Sequence, residues 1–259
     1  MRWETDLFVR NAELFSLVLE GMQEQGKQSA KVISDYLVEK GMRGCKILDV
    51  PCGIGRITIP LAKLGFTVTG VDFSPYFIRI AKTKAKQSGV EGRTSFMEGR
   101  KERVDSLLKN ETFDVAINVF TSIGYGSEEA DQVFFRSLRR VVRKGGLFVI
   151  AQLANRDYIF SHFMEHIYDE TDKLLVLETN ELDAASSREK SVWRFYMKTG
   201  KSLRAASEVK IDLRLYSPHE LASMLEGSAW RVSDIYDSLS NKKPFSVASS
   251  SYTVVAEAV

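Results

Sequence analysis

Short apolar runs alternate with amphipathic stretches along the first part of this chain, and this alternation narrows the possible folds more than any other feature. Each apolar run is bounded by turn residues, which is typical of buried strands joined by helices. The predicted strands are residues 46–50, 67–71, 94–97, 113–119 and 146–153. The predicted helices between them are residues 55–64, 75–88 and 128–142, the last closing at Gly145-Gly146. Helices wound around a parallel sheet are therefore expected.

The pattern changes after Asn155. Residues 158–166 are predicted to be helical, and the polar and apolar residues that follow alternate as in antiparallel strands. These predicted strands are residues 174–182, 192–197 and 209–216, with a hairpin turn at 198–201. The wound pattern resumes at Ser217-Pro-His-Glu220, a capping box that leads into a helix at 221–225. Residues 230–236 and 252–257 would then complete the sheet.

Together these patterns predict an α/β fold: a doubly wound, mostly parallel seven-stranded sheet with an inserted antiparallel β lid. Residues 1–156 would hold the N-terminal helices and the ligand-binding core, 157–216 the lid, and 217–259 the C-terminal part of the core sheet. Within the first region, residues 13–39 are predicted to form one or two helices with a break at Gly26.

Composition excludes several classes of protein. The 259 residues carry 36 Lys and Arg against 34 Asp and Glu, so no overall basic field favours nucleic acid or an anionic membrane. No apolar run approaches the roughly 18 residues of a membrane span, and the charged N-terminus lacks a secretory pattern. The two cysteines, Cys45 and Cys52, flank a strand that would hold them too far apart for a disulfide. A cytoplasmic protein without a membrane partner is expected.

A tight turn after the first strand indicates a ligand. Gly53 and Gly55 allow close backbone approach at the carboxyl end of the strand, where open parallel sheets bind ligands. Asp72 ends the second strand 17 residues after Gly55, about where such folds place the acid that holds a ribose. A nicotinamide fingerprint would carry a third glycine where Thr58 stands and no acid at Asp49. A carboxylate there suits a ligand with an ammonium or sulfonium group.

Three segments in this order, Ile47-Leu-Asp-Val-Pro-Cys-Gly-Ile-Gly-Arg56, Gly70-Val-Asp-Phe-Ser74 and Phe113-Asp-Val-Ala-Ile-Asn118, resemble the class I S-adenosylmethionine-dependent methyltransferases. The likeness covers roughly residues 40–155, and the whole chain looks like small-molecule methyltransferases whose fifth strand precedes an antiparallel lid. The resemblance implies S-adenosylmethionine as cofactor and methyl transfer to an O or N of a small molecule.

The resemblance also implies roles for residues. Asp49 would lie near the methionine amino group, the two turn glycines would line the methionine and sulfonium side, and Asp72 would hold both ribose hydroxyls. Phe73 would pack on adenine, and Asn118 with Phe120 would border the cofactor. The implied cofactor-binding set is Asp49, Pro51, Gly53, Gly55, Arg56, Asp72, Phe73, Glu98, Gly99, Arg100, Asn118 and Phe120.

Two positions depart from the family pattern. Pro51 stands where glycine is usual, which removes one backbone N–H from the turn. Glu98-Gly-Arg100 stands where Gly-Asp is usual, and a guanidinium cannot accept a hydrogen bond from the adenine amine. Glu98, the backbone near Gly99, or apolar packing would then hold the adenine.

Methyl transfer from a sulfonium needs alignment and water exclusion more than it needs an essential catalytic residue. Candidates to orient or deprotonate an acceptor follow the fourth and fifth strands: Tyr125 within residues 121–125, and Asp157 within 155–158. The alternative is that Tyr125 only packs at the rim and that Asp157 caps the helix that starts near Tyr158. His162 or His166 is a further candidate to line the acceptor pocket. The pattern His162-Phe-Met-Glu-His166 matches inverted zinc peptidases by coincidence, and no metal site is expected.

The tetrapeptide after the fourth strand bears on the acceptor. It is Asn118-Val-Phe-Thr121, without the two prolines that amino-group methylases of nucleic acid or protein carry there, so a small acceptor is favoured. RNA remains an alternative because Lys242-Lys243 and the basic cluster at 136–144 can meet phosphates. A non-catalytic protein that binds S-adenosylmethionine is the other alternative.

Overall fold

The computed structural model describes residues 2–120 and 122–259. Seven strands in this part of the chain form the main sheet, in the spatial order β10-β11-β5-β4-β1-β2-β3. Their bounds are β1 Lys46–Asp49, β2 Thr67–Asp72, β3 Thr94–Glu98, β4 Phe113–Val119, β5 Val142–Ala154, β10 Trp230–Tyr236 and β11 Ser251–Ala258. β11 runs antiparallel to both β5 and β10, whereas the other pairs are parallel. The predicted α/β fold with a mostly parallel seven-stranded sheet is confirmed.

Helices cover both faces of this sheet. Their bounds are α1 Trp3–Thr5, α2 Ala12–Gly21, α3 Gln23–Glu39, α4 Thr58–Lys63, α5 Pro75–Gln87, α6 Val104–Leu107, α7 Glu128–Val141, α8 Arg156–Ser161 and α9 Pro218–Glu226. A π-helical turn, Asp6–Arg10, joins α1 to α2. Successive strand residues face opposite sides. Ile47 and Val115 therefore pack with α3, α4 and α5, whereas Leu48 and Ala116 pack with α6, α7 and α9.

Gly26 does not break the N-terminal helices. The break falls at Met22, and Gly26 lies inside α3. A Cβ atom at Gly26 would stand 2.8 Å from the backbone oxygen of Arg56, closer than real Cβ contacts occur. The glycine is therefore explained by the close approach of α3 to the turn after β1, a tertiary contact that helix periodicity does not reveal.

Gly145 and Gly146 do not follow a helix C-terminus directly. α7 ends at Val141, and both glycines lie within β5, which begins at Val142. The register of β4 against β5 shifts between Phe113 and Val115. Gly145 has φ 73°, and a Cβ atom on Gly146 would stand 2.6 Å from the Asp114 carbonyl oxygen. The glycines thus permit an irregular start to the strand.

A second sheet of four antiparallel strands follows β5, in the order β6-β7-β8-β9. The strands are β6 His166–Glu170, β7 Leu174–Asp183, β8 Arg188–Thr199 and β9 Ser202–Arg214. Strands are present at the three predicted positions, and a turn joins β8 to β9 within 198–201. β9 begins at Ser202 rather than at the predicted Val209, and β6 was not predicted. The predicted helix at 158–166 is wrong in extent, because α8 ends at Ser161 and His166 begins β6. We call this sheet the lid; the boundaries 157–216 stay a prediction.

One face of the lid packs on the N-terminal helices. Val176, Phe195 and Val209 of the lid share a buried apolar cluster with Leu19 of α2 and Phe77 of α5. The N-terminal segment, which we define as residues 3–21 from α1 to α2, is therefore held between the lid and the main sheet. Ser217 and Glu220 form the capping box of α9, as predicted, and return the chain to the main sheet. Every helix in the described part of the chain is too short or too polar to cross a membrane.

Candidate functional site

The turn after β1 is bound to the end of β2 through Asp72. Gly53 N donates to Asp72 Oδ2 at 2.9 Å, and Ser74 N donates to Asp72 Oδ1 at 2.9 Å. Gly53 has φ 54° and Gly55 has φ 81°, a region that glycine occupies without strain. The strand-end acid therefore orders two turns at once, and its burial leaves it at the floor of a cavity.

Asp49 is the second buried carboxylate at this floor. Its Oδ2 accepts a hydrogen bond from the Thr58 hydroxyl at 2.6 Å. Burial raises the pKa of Asp49 to about 7, with nearby Asp72 adding to the effect, and burial raises the pKa of Asp72 to about 6. Two desolvated carboxylates side by side favour a cationic ligand, because a positive charge would offset both the burial and their repulsion.

Asn118 stabilises the turn after β1 by a side-chain hydrogen bond. Its Nδ2 donates to the Val50 carbonyl at 2.7 Å, whereas its buried Oδ1 has no partner among the described residues. Phe120, with φ 63°, places its ring under the Arg56 guanidinium at 4.6 Å. Burial lowers the pKa of Arg56 to about 10.

The end of β3 supplies a cation rather than an acid. The Arg100 guanidinium lies 5.1 Å from the ring centroid of Phe73, and both side chains line the cavity. Glu98 is exposed and absent from the cavity wall. Gly99 N donates to the Asp72 carbonyl at 2.9 Å, and a Cβ atom on Gly99 would stand 2.5 Å from Leu107 Cδ2. Gly99 therefore lets β3 pass close to α6.

The cavity has a volume of about 450 Å³ and brings together most of the cofactor-binding residues inferred from the sequence. The inferred residues on its wall are Asp49, Pro51, Gly53, Arg56, Asp72, Phe73, Arg100, Phe120 and Tyr125. Gly55, Glu98, Gly99 and Asn118 are not on the wall. Gly55 instead packs towards Ile59 and Ala81, and Asn118 acts through the Val50 carbonyl. Thr121 of the candidate acceptor segment lies outside the described residues.

Two candidate catalytic residues are not in the cavity. Asp157 forms an ion pair with Arg156 at 2.7 Å in the first turn of α8, where Asn155 is the N-cap. His162 follows the end of α8, is exposed, and stacks on Tyr158 at 4.1 Å. Because the helix stops before His162, the histidines of the His-x-x-Glu-His pattern do not share a helix face. Among residues 2–120 and 122–259, no cluster of His, Cys, Asp and Glu suits a metal ion.

Tyr125 lies in an aromatic wall that the N-terminal segment completes. Its ring meets Trp3 edge-on at 4.8 Å and stacks with Phe8 at 5.6 Å. Burial, and next the carboxylates of Asp72, Glu4 and Asp131, raise the pKa of the Tyr125 hydroxyl. Tyr125 is therefore neutral near pH 7 and suited to hydrogen bonding rather than to accepting a proton.

A buried ion pair fixes the loop that carries Tyr125. Lys101 Nζ donates to Asp131 Oδ1 at 3.0 Å and to the Ser122 carbonyl at 2.7 Å. Asp131 Oδ2 accepts from Gly124 N at 2.8 Å and from the Tyr216 hydroxyl at 3.1 Å. Because both Lys101 and Asp131 have partners for their charges, this ion pair holds one corner of the cavity wall in a fixed position.

The same loop contacts the base of the lid. Arg214 N donates to the Gly124 carbonyl at 2.8 Å, and a Cβ atom on Gly124 would stand 2.1 Å from the Arg214 carbonyl oxygen. The wall of the cavity and the last lid strand are therefore held in register by backbone contact.

Several wall residues were not inferred from the sequence. They are Trp3, Glu4, Phe8, Phe15, Lys101, Asp131, Trp193, Ile211 and Leu213, among others. Apolar residues at helical spacing from Trp3 through Phe15 to Met22 were a signal for a packed N-terminal helix. Nothing local in the lid strands marked Trp193 as a wall residue.

The basic cluster at 136–144 is largely engaged in the structure. Arg140 pairs with Asp105 at 2.6 Å, and Arg143 pairs with Asp114 at 2.6 Å. Arg139 donates to the carbonyls of Val142 and Val259. These contacts favour a surface network over a phosphate-binding patch.

Comparison with known proteins agrees with the geometry. A family model described as a methyltransferase domain matches residues 47–146. A ubiquinone biosynthesis O-methyltransferase from Rhizobium leguminosarum bv. trifolii is 36% identical over 114 residues, which are 43% of this chain and 42% of that protein. The chain thus matches less than half the length of this curated relative.

Solved structures match nearly the whole chain. An S-adenosylmethionine-dependent methyltransferase from Clostridium acetobutylicum superposes with a TM-score of 0.78 at 17% identity, covering 90% of this chain and 91% of that one. An amino pentose methyltransferase from Micromonospora echinaspora superposes with a TM-score of 0.71 at 14% identity, covering 95% and 96%. Residues 47–146 therefore match a methyltransferase domain, and the chain has the fold of class I methyltransferases.

Proposed function

We propose that this protein is an S-adenosylmethionine-dependent methyltransferase that acts on an O or N atom of a small molecule. The observation that carries the proposal is the pair of buried carboxylates, Asp49 and Asp72, at the floor of a cavity roofed by the lid and the N-terminal segment. The end of the cavity at Asp49 and Asp72 suits a cationic adenosyl compound. The end lined by Trp3, Phe8 and Tyr125 would hold the acceptor.

The residues present fit the cofactor. When bound, S-adenosylmethionine supplies an electrophilic methyl group. Asp49 would attract the methionine ammonium and Asp72 would accept hydrogen bonds from the ribose, since each carboxylate retains lone pairs beyond its contacts in the structure. The face of Phe73, already paired with Arg100, offers a planar surface for adenine. In this proposal stacking and backbone groups hold the adenine in place of an acid.

The protein's own contribution to transfer is alignment and exclusion of water. Trp3, Phe8 and Tyr125 form an apolar wall that the Lys101–Asp131 corner holds in place. Tyr125 stays protonated and would orient an acceptor by a hydrogen bond. A small acceptor is favoured over RNA because the lid covers the site and because Arg140 and Arg143 of the basic cluster at 136–144 are paired with acidic residues.

Calorimetry tests the proposal. S-adenosylhomocysteine, the demethylated product, is expected to bind with one-to-one stoichiometry, and NADP+ is the matched control for a nicotinamide site. Binding of NADP+ without binding of S-adenosylhomocysteine would overturn the proposal. Release of S-adenosylhomocysteine from S-adenosylmethionine in the presence of an acceptor would separate a methyltransferase from a protein that only binds the cofactor.

A further inference from the structure

Glu4 is a buried acid that the cofactor site does not use. Its side chain belongs to α1, the residue is 8% exposed, and it lines the cavity. Its carboxylate forms no hydrogen bond or ion pair within residues 2–120 and 122–259. The other deeply buried wall acids differ, because Asp49, Asp72 and Asp131 each accept hydrogen bonds from protein groups.

Glu4 lies on the lid side of the cavity. It also lines an adjoining cavity between α1 and the lid strands, which includes Asn180, Ser191 and Lys210 but neither Asp49 nor Asp72. α1 packs against β9 of the lid. Glu4 is therefore placed at the acceptor end rather than among the groups assigned to the cofactor.

The surroundings of Glu4 favour a cation. Trp3 and Phe8 present rings around Tyr125, and aromatic faces attract ammonium groups. The wall cation Lys101 is already bound to Asp131 at 3.0 Å. Arg2 also lines the cavity, but its side chain is exposed and forms no ion pair with Glu4. A carboxylate that lines a cavity without an ion-pair partner can attract a cationic ligand that enters that cavity.

We propose that the acceptor is an amine, which enters as an ammonium that donates to the Glu4 carboxylate between the aromatic side chains of Trp3, Phe8 and Tyr125. This inference rests on the proposed methyltransferase function. For transfer, one ammonium proton passes to the Glu4 carboxylate and leaves the nitrogen lone pair free. That lone pair forms the N–C bond as the methyl group's bond to sulfur breaks with its electrons on sulfur, and the proton on Glu4 then passes to water.

A carboxylate in this position discriminates against other acceptors. Phenolates and carboxylates would bring a second negative charge next to Glu4, so they are disfavoured by repulsion. Neutral alcohols would donate one hydrogen bond without the charge. Hydrogen bonds to charged groups are the stronger ones, which corresponds to about tenfold in affinity for an amine over its matched alcohol.

The test uses the 259-residue chain saturated with S-adenosylhomocysteine, titrated at pH 7 with 2-phenylethylamine and with 2-phenylethanol. The amine is expected to bind at least about tenfold more tightly, and Glu4→Gln is expected to abolish that preference. Glu13→Gln, a change at an exposed acid of α2, is the matched control and is expected to retain it. Thermal unfolding of each variant establishes that it is folded.

Each result bears on a different claim. Equal binding of the two probes, absence of amine binding, or an unchanged preference in Glu4→Gln would overturn the amine assignment and leave the proposed function intact. If Glu4→Gln lowered the affinities for S-adenosylhomocysteine and for the amine equally, Glu4 would belong to the cofactor pocket. That result would also overturn the amine assignment. Failure of the wild-type protein to bind S-adenosylhomocysteine would count against the methyltransferase proposal itself.

Discussion

At the scale of single residues, Asp72 has one structural role and one proposed role in binding. Its carboxylate accepts hydrogen bonds of 2.9 Å from Gly53 N and from Ser74 N, which orders the turns that contain these two residues. In the proposed function the same carboxylate also binds the ribose. Asp72→Asn keeps one acceptor oxygen and loses the charge. We expect calorimetry to show affinity for S-adenosylhomocysteine lowered by about tenfold or more.

Asp35→Asn is the control for that change, because Asp35 forms an exposed ion pair with Lys31 on α3. Affinity of Asp72→Asn within twofold of the wild type would contradict the ribose assignment. A parallel loss in Asp35→Asn would show that the effect is not specific to the site.

Asp49 predicts a pH dependence with a definite sign. Burial raises its pKa in the folded protein from an ordinary 3.8 to about 7, so the folded state holds a proton that the unfolded state has released. The free energy of unfolding of the ligand-free protein should therefore fall as pH rises from about 4 to about 7. Asp72, with its pKa raised to about 6, acts in the same direction. Denaturant titrations should show a flatter dependence in Asp49→Asn.

Ligand binding provides a second measurement of the same group. An ammonium placed beside Asp49 would lower its pKa, so binding of S-adenosylhomocysteine near pH 6.5 should release protons. Calorimetry in two buffers of different ionisation enthalpy measures that release. The same proton release from Asp49→Asn would show that another group is responsible.

At the scale of secondary-structure elements, Gly26 lets α3 pack closely against the turn after β1, although glycine makes the helix itself less stable. Alanine is favoured over glycine inside a helix by about 1 kcal/mol. At Gly26, however, an added Cβ atom would stand 2.8 Å from the Arg56 carbonyl oxygen. Overpacking of this kind costs about 1–3 kcal/mol. Gly26→Ala is therefore expected to lower both the unfolding temperature and the affinity for S-adenosylhomocysteine.

Gly92→Ala is the matched control, since no atom lies within 4 Å of a Cβ atom at Gly92 and its φ is not positive. A stabilised Gly26→Ala variant with unchanged affinity would show that α3 moves away freely and that the close contact has no role in holding the turn.

The elements also show what the sequence could predict. The strands of the main sheet and the turn after β1 were predictable because their signals are local: short apolar runs, paired glycines and strand-end acids such as Asp49 and Asp72. The role of Gly26 was not, because it depends on a residue 30 positions away, Arg56. The wall formed by Trp3, Glu4 and Trp193 was missed for the same reason, since these side chains meet only after the lid folds over the N-terminal segment.

At the scale of the whole molecule, the lid and the main sheet are joined by a shared apolar core. Phe195 of the lid and Phe77 of α5 belong to one buried cluster with the N-terminal helices. The binding cavity lies beside this cluster and draws its wall from the main sheet, the N-terminal segment and the lid. A lid that is packed in this way is expected to unfold together with the sheet rather than before it.

The three tryptophans report on the three parts separately: Trp3 on the N-terminal segment, Trp193 on the lid, and Trp230 on the main sheet, where its Nε1 donates to the Phe135 carbonyl at 3.0 Å. Variants that keep one tryptophan and replace the other two by phenylalanine should show coincident thermal transitions by fluorescence. S-adenosylhomocysteine at about 100 times its Kd should stabilise all three by about 2.7 kcal/mol. If Trp3 or Trp193 reported a transition at a lower temperature than Trp230, the N-terminal segment or the lid would unfold independently of the main sheet. The contacts of these parts with Phe77 would then be too weak to couple their unfolding to that of the sheet.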